Sequence, residues 1–410
     1  MPKILQVNVS ANWGSTGQIA EQCNQYAAKQ GWDIYFAYGR YKNPGQSQLI
    51  TTSSKWDVYE HYLENILFDN EGLASRSSTR RLINGIQRIN PDIIHLHNVH
   101  DHWLNYKLLF EYLNQTGIKV VWTFHDFWYI TGHCYHFVKA KCDKFIIECD
   151  SCPYTKGKIL PFFKRTKRNF SLKRELFTTN ENLHIVCVSD WVGENVAKSF
   201  LKNKDIRVIH NGVDTDIFKP TSLDVLNKLN YSDYLHAIDE KFVIMAVSSQ
   251  WKSGEKGLDD YKKLGKFLNE DEVIVLVGVP CEISKDLPTN IIGIRRTNNQ
   301  QELAALYTRA DVVCSLSSAE TFGLTIVEGY ACGTPAIVYD NTAPPSLITP
   351  KTGYVVENGN YKQAYSAIQQ IKKEGKKSYS DECIALARKK YSKETCFNAY
   401  MDLYNQILMD

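Results

Sequence analysis

Short runs rich in valine and isoleucine alternate with amphipathic stretches along the whole chain, and this alternation restricts the fold more than any other feature. The apolar runs are KILQVNV, DIYFAYG, DIIHLHN, KVVWTFH, HIVCVSD, IRVIHNG, KFVIMAVSS, VIVLVGV, NIIGI, DVVCSLS and AIVYD. Helical patterns lie between them at 17–29, 78–89, 104–114, 257–268 and 301–309. β-Branched strands separated by helices predict parallel sheets covered on both faces. So many strands exceed one such sheet, and 410 residues exceed a single hydrophobic core. The expected fold is therefore α/β, with two doubly wound, Rossmann-like domains. The composition changes near 207–220, and a polar, loosely patterned segment follows at 221–240. Domains are thus expected at 1–205 and 206–392, with a last helix at 393–410 that packs back on the first.

Lysine and arginine total 48 against 45 aspartates and glutamates, so no global field points to nucleic acid. The start, MPKILQVNVSANWG, reads as a strand and loop rather than a secretion signal. The apolar run VIVLVGV falls far short of the about 20 residues of a membrane span. Eleven cysteines, most of them in apolar strands or helices, suit a reducing compartment. A cytoplasmic protein is expected.

One segment, AETFGLTIVEGYACGTP, sets Glu320 and Glu328 eight positions apart in small and apolar surroundings. DVVCSLSS before it is a strand, and Phe322, Gly323 and Leu324 open the next helix. In doubly wound sheets ligands bind at the carboxyl ends of strands, and free helix-start amides attract phosphate. A carboxylate beside that phosphate is disfavoured unless it grips something uncharged, and paired sugar hydroxyls are natural candidates. A plain helix-terminal carboxylate at Glu320 and a solvated Glu328 are the alternative.

SSAETFGLTIVEGYACGTPAIV resembles the paired-glutamate motif of retaining glycosyltransferases of family four, which have the GT-B fold. VIHNGVDTDIF (208–218), EKG (255–257), ELAALYTRADVVCSLS and WTFHD (122–126) resemble further segments of that family. The resemblance covers most of the chain and is stronger in its second half. It implies two domains facing across a cleft and transfer of a hexose-like sugar from a UDP- or GDP-linked donor to a glycan or lipid-linked acceptor. Retention at the anomeric carbon and a role in surface-polysaccharide assembly are also implied. By the family pattern Glu328 holds the nucleotide ribose and Glu320 lies against the donor sugar. Phe322, Gly323 and Leu324 offer backbone donors, and Lys256 neutralises the leaving diphosphate. An arginine usual in the family is absent from SSQWKSGEKG, where Lys252 substitutes as a point charge without a bidentate fork. A nucleotide-sugar epimerase or hydrolase on the same fold, or a non-catalytic binding protein, is the alternative.

Seven histidines gather at 95–136, which invites a metal reading, but period-two alternation puts His95 and His97 on one strand face with Ile93. His125 ends a strand, and the resemblance places it near the donor sugar or acceptor in a positioning and proton-handling role. Asp126 either orients it or caps the next helix. Gly14 and Gly17 lie in the loop that the resemblance sets beside the acceptor; a plain turn is the alternative. No catalytic metal is expected, and DTD at 214–216 belongs to the domain junction rather than to an ion.

An insertion at 133–153 carries Cys134, Cys142, Cys149 and Cys152, the last two with Cys-x-x-Cys spacing. Structural zinc is expected there, with disulfides or free thiols as rivals. Residues 156–174, KGKILPFFKRTKRNFSLKR, have no acid and interleave Leu160, Phe162, Phe163 and Phe170 with lysine and arginine. They are expected to meet an anionic membrane surface, giving a peripheral protein; a solvated loop and helix is the alternative.

Overall fold

A computed structural model describes residues 1–153, 162–222, 224 and 237–409. The chain forms two units, Met1–Ile209 together with the chain end from Phe397, and His210–Cys396.

The first unit holds β1 (Lys3–Ala11), β2 (Asp33–Lys42), β3 (Gln48–Thr51), β4 (Ile93–Leu96), β5 (Lys119–Phe124), β6 (Leu183–Cys187) and β7 (Asp205–Val208). They pair in parallel in the order β3-β2-β1-β4-β5-β6-β7. The second unit holds β8 (Phe242–Val247), β9 (Glu272–Val277), β10 (Ile291–Ile294), β11 (Val312–Ser315), β12 (Ala336–Tyr339) and β13 (Gly353–Val356). These are also parallel, in the order β10-β9-β8-β11-β12-β13. Both orders are doubly wound, as expected. The strand order reverses at β1/β4 and at β8/β11, which are the positions where such sheets open a crevice for ligands.

Burial explains the apolar runs. Every residue of β4, β9 and β12 is buried, because helices cover both faces of each sheet. Strands β3 (QLIT) and β13 (GYVV), short runs at sheet edges, add to the expected strands.

Within the second unit, backbone proximity ties its first residues to its last. Val213 and Ser392 form a parallel bridge, with Val213 donating to the Tyr391 carbonyl and Lys393 to that of Val213. A Cβ on Gly212 would lie 2.6 Å from Lys393 Cα, so glycine is required in the Asn-Gly-Val-Asp segment. Asp214 pairs with Lys393 at 2.5 Å and accepts from the Asp216 amide, a structural use of the DTD sequence.

The helix Lys393–Met409 ends in the first unit, where its tyrosines reach buried polar groups on the sheet. Tyr404 Oη lies 2.6 Å from His95 Nδ1 and 3.2 Å from Cys23 Sγ, and Tyr400 Oη lies 2.9 Å from Thr123 Oγ1. His95 is fully buried and its Nε2 meets Thr123 Oγ1 at 2.8 Å, so both ring nitrogens are partnered. Tyr404→Phe strands His95 Nδ1 without a partner and is expected to lower stability by about 1–3 kcal/mol. Denaturant unfolding of the variant against the parent chain measures this; an unchanged midpoint would show that the bond adds nothing.

Candidate active site

In the second unit the loops leaving β8 and β11 are stitched together. Ser318 donates its amide to the Glu255 carbonyl at 2.8 Å, and Ser317 Oγ donates to the same carbonyl at 2.9 Å. Tyr261 Oη donates to the Cys314 carbonyl at 2.8 Å and accepts from the Leu316 amide at 3.1 Å. Gly257 makes this approach feasible: its φ is +72°, and an added Cβ would sit 2.1 Å from the Leu316 carbonyl oxygen. The stitch brings Lys256 Nζ to 2.5 Å from Glu320 Oε1, both side chains being half-buried.

The helix Leu324–Ala331 starts four residues beyond Glu320, with no side-chain cap; the Ile326 amide donates to the Gly323 carbonyl, and the first amides of the turn are offered to a ligand. Gly323 precedes it with φ +105°, and a Cβ there would press on Ile326 and Leu347. Phe322 turns its ring into the core, toward His210 and Tyr391, leaving its backbone at the helix start. Glu328, half-buried on the same helix, accepts from Tyr307 Oη at 2.8 Å. Desolvation pushes its carboxyl up to about 7, against the opposing effect of the Tyr307 bond. Lys252 lies elsewhere, on a short turn after β8, in an exposed ion pair with Glu282. Such a pair is worth little, so Lys252 is free to exchange partners.

In the first unit His125 directly follows β5. Its Nε2 lies 3.0 Å from His97 Nδ1, and His97 Nε2 lies 2.8 Å from Gln6 Oε1. The two imidazoles stack with centroids 5.3 Å apart. If Gln6 accepts through that oxygen, His97 carries its proton on Nε2 and His125 donates from Nε2, leaving His125 Nδ1 as the basic nitrogen. Burial lowers His125 to about 4 and holds His97 well below the usual imidazole value, so both rings are neutral near pH 7. Asp126 does not orient His125. Its Oδ2 accepts from His100 Nε2 at 2.9 Å, and its Oδ1 accepts from the Trp128 amide at the start of a 3-10 turn, Trp128–Ile130. The orienting group is His97, for which the period-two pattern gives only a strand face shared with His95. The parallel pairing of β4 with β5 brings the two histidines together just past the strand ends, which the sequence alone does not signal.

Gly14 and Gly17 lie at the start of the helix Gly14–Lys29, after β1. Gly14 has φ +67° and open space around its Cβ position, whereas a Cβ on Gly17 would meet the Ser10 carbonyl at 2.7 Å. Gly17 therefore serves helix–strand packing.

Cys134, Cys142, Cys149 and Cys152 do gather in one neighbourhood. Cys134 and Cys152 share a hydrogen bond, and the Cys149 thiol is pushed up to about 11, chiefly by burial, with Cys142 and Cys152 nearby adding to the rise. Yet among the described residues no group of three or more His, Cys, Asp or Glu is disposed to hold a metal ion. The expectation of zinc gains no support. His133, next to Cys134 in the chain, is bonded to Asp69 at 2.9 Å.

Of the basic stretch 156–174, residues 156–161, Leu160 among them, lie outside the described residues. Beyond them, Phe170 and Lys173 are buried rather than surface-facing. The Lys173 ammonium donates to the Trp128 and Thr131 carbonyls at 2.6 and 3.0 Å and sits 3.3 Å from the centre of the Trp128 ring. Phe162 and Phe163 are exposed. Among the described residues no helix is long and apolar enough to cross a membrane.

Two doubly wound units, each with a switch point, have the architecture of the GT-B glycosyltransferases. Residues 17–217 match the model of Glycosyltransferase Family 4, and residues 241–390 that of Glycosyl transferases group 1. The chain belongs to the group 1 glycosyltransferases. It is 23% identical over 382 residues to the putative colanic acid biosynthesis glycosyl transferase WcaC of Escherichia coli K12, covering 86% of this chain and 87% of that one. Among solved structures, sucrose-phosphate synthase of Thermosynechococcus elongatus superposes with TM-score 0.72 at 15% identity, over 100% of both chains. Anabaena HepE in complex with UDP-glucose superposes with TM-score 0.66 at 14% identity, over 98% of this chain and 99% of that one.

Gly257→Ala is expected to destabilise the second unit by about 2 kcal/mol or more, since strain at positive φ adds to a backbone clash. Its thermal unfolding, compared with Gly254→Ala, where φ is +69° but nothing lies within 4 Å of the Cβ position, isolates the clash. Equal losses would show that the stitch between the β8 and β11 loops is not tight.

Proposed function

We propose that this enzyme moves a sugar from a nucleotide diphosphate donor to a glycan or lipid-linked acceptor in polysaccharide or oligosaccharide assembly, with retention at the anomeric carbon. The Lys256–Glu320 pair beside an uncapped helix start carries this reading. A diphosphate placed against the amides of Gly323 and Leu324 competes for Lys256, whose ammonium stabilises the negative charge that builds as the sugar leaves. Exchange of Lys256 from Glu320 to phosphate releases the carboxylate to accept hydroxyls of the donor sugar. Glu328, farther along the same helix, accepts the ribose hydroxyls. Lys252 adds a second cation once it leaves Glu282. His125 holds the sugar or acceptor through hydrogen bonds, its tautomer fixed by His97. UDP-glucose in the HepE complex supports a nucleotide-sugar donor, and the colanic acid role in the name of WcaC supports a polysaccharide acceptor.

Three substitutions separate these roles. Glu328→Ala weakens free-nucleotide binding by about tenfold or more, because ribose is shared by donor and nucleotide. Glu320→Ala leaves free-nucleotide affinity nearly intact and lowers sugar transfer. Calorimetry with UDP and GDP measures both, and equal affinity losses would refute the division. His125→Ala lowers transfer by about a hundredfold with the melting temperature unchanged; ordinary turnover would return His125 to a structural role. Release of sugar without acceptor would favour a hydrolase.

The raised Glu328 carboxyl gives a pH signature. Ribose hydroxyls stabilise its ionised form, so its pKa in the complex drops below the free value of about 7. A group whose pKa falls on binding makes affinity rise with pH up to the free pKa and level off above it. Nucleotide affinity is therefore expected to climb toward pH 7 and then flatten, with proton release on binding at lower pH. Titration calorimetry in buffers of different ionisation enthalpy detects the proton, and Glu328→Gln abolishes it.

A further inference from the structure

The helix Lys55–Phe68 is inside out. Its two buried residues are polar, Asp57 and His61. Asp57 is held by Ser54 in a capping box and by Arg81, while His61 bonds Ser75 Oγ and the Gly72 amide at 2.8 Å each. The apolar residues face the other way. Trp56, Tyr59, Leu63 and Leu67 recur at spacings of three, four and four, which is one helical stripe. They are 82%, 63%, 58% and 42% exposed. A surface helix of a globular protein ordinarily turns such a stripe inward.

The stripe does not stop at the helix. Phe162 and Phe163 donate their amides to the Ile66 and Leu67 carbonyls at 2.9 and 3.3 Å, which fastens this segment to the helix end. Both rings are exposed, and that of Phe163 stacks on Phe68 with centroids 6.2 Å apart. The result is one contiguous apolar surface, larger than scattered exposed side chains require. Cations border it. Lys55 opens the helix, Lys164 and Arg165 follow the two phenylalanines, and the Arg165 guanidinium lies 5.4 Å from the centre of the Phe68 ring. Glu64 and Lys167 are neutralised by Arg76 and Glu148, which leaves Glu60 as the acid beside the stripe.

We infer that this face lies on an anionic phospholipid bilayer. Tryptophan and tyrosine, with an apolar body and a polar tip, favour the headgroup boundary, and leucine and phenylalanine beside them enter the acyl region. Lysine and arginine at the edge of the stripe meet lipid phosphates. The charge pattern favours this occupant over a second copy of the chain, which would bring cations against cations. The contact is made mainly by a helix outside the basic run 156–174, and it does not depend on the identity of the acceptor.

The test is co-sedimentation of the full chain with vesicles of phosphatidylcholine, alone or mixed with phosphatidylglycerol. The protein is expected to pellet with the mixed vesicles, and the triple variant Trp56→Ser, Leu63→Ser, Leu67→Ser to bind at least about tenfold more weakly. Lys164→Gln with Arg165→Gln weakens binding to the mixed vesicles and removes its salt dependence. Because the triple variant replaces exposed residues, its melting temperature is expected to match the parent. A gentler probe is Trp56→Phe, which should lose part of the tryptophan quenching by brominated phospholipid in the membrane. Absence of the parent chain from both vesicle pellets, or equal pelleting of the triple variant, would overturn the inference. A parent dimer that the triple variant turns into a monomer would overturn it too, assigning the face to self-association.

Discussion

Parallel pairing of β8 with β11 puts the ends of two strands from distant parts of the chain side by side, and the loops that leave them are held within hydrogen-bond distance of one another. Glu255 accepts from both Ser317 and Ser318, while Gly257 lets the backbones approach where any side chain would collide with the Leu316 carbonyl. Lys256 and Glu320 meet only because of this contact. The uncapped start of the helix Leu324–Ala331 and the Glu328 carboxylate follow from it, since both ride on the element that leaves the β11 loop.

The same principle operates in the first unit with different chemistry. β4 and β5 deliver His97 and His125 to adjacent strand ends, and the buried sheet supplies Gln6 from β1 to complete the chain of rings. Deep burial keeps these imidazoles neutral, which suits groups that orient hydroxyls and handle single protons rather than bind phosphate. The C-terminal helix adds Tyr400 and Tyr404 to the polar interior of this sheet, so the chain end is part of the first unit's core. Polar groups there are costly unless satisfied, and the two hydroxyls satisfy His95 and Thr123.

Fold class, the run of most strands and the two glutamates were legible in the sequence. The reason is that buried parallel strands must be apolar along their whole length, and Glu320 and Glu328 stand out against that background. Strands β3 and β13 were not legible, since each is a four-residue run set between polar residues, too short to show a period. The helix Lys55–Phe68 carries both a helical apolar stripe and a capping box of Ser54 and Asp57, so its existence was legible; that the stripe faces outward over the buried Asp57 and His61 was not. Within the basic run at 156–174 no local pattern separates Phe170 and Lys173, which turn into the core, from Phe162 and Phe163, which stay exposed.

By itself the sequence determined the two doubly wound sheets, because strand periodicity and helix amphipathicity are local properties written every few residues. It also determined where the site residues had to fall along the chain, at strand ends opening into helices. Only the tertiary structure decided which of them act together. Lys256 pairs with Glu320 whereas Lys252 pairs with Glu282, and Asp126 serves His100 whereas His97 serves His125. Those choices depend on sheet order and on which backbones approach closely. Both are set by contacts between residues far apart in sequence, which no local pattern encodes.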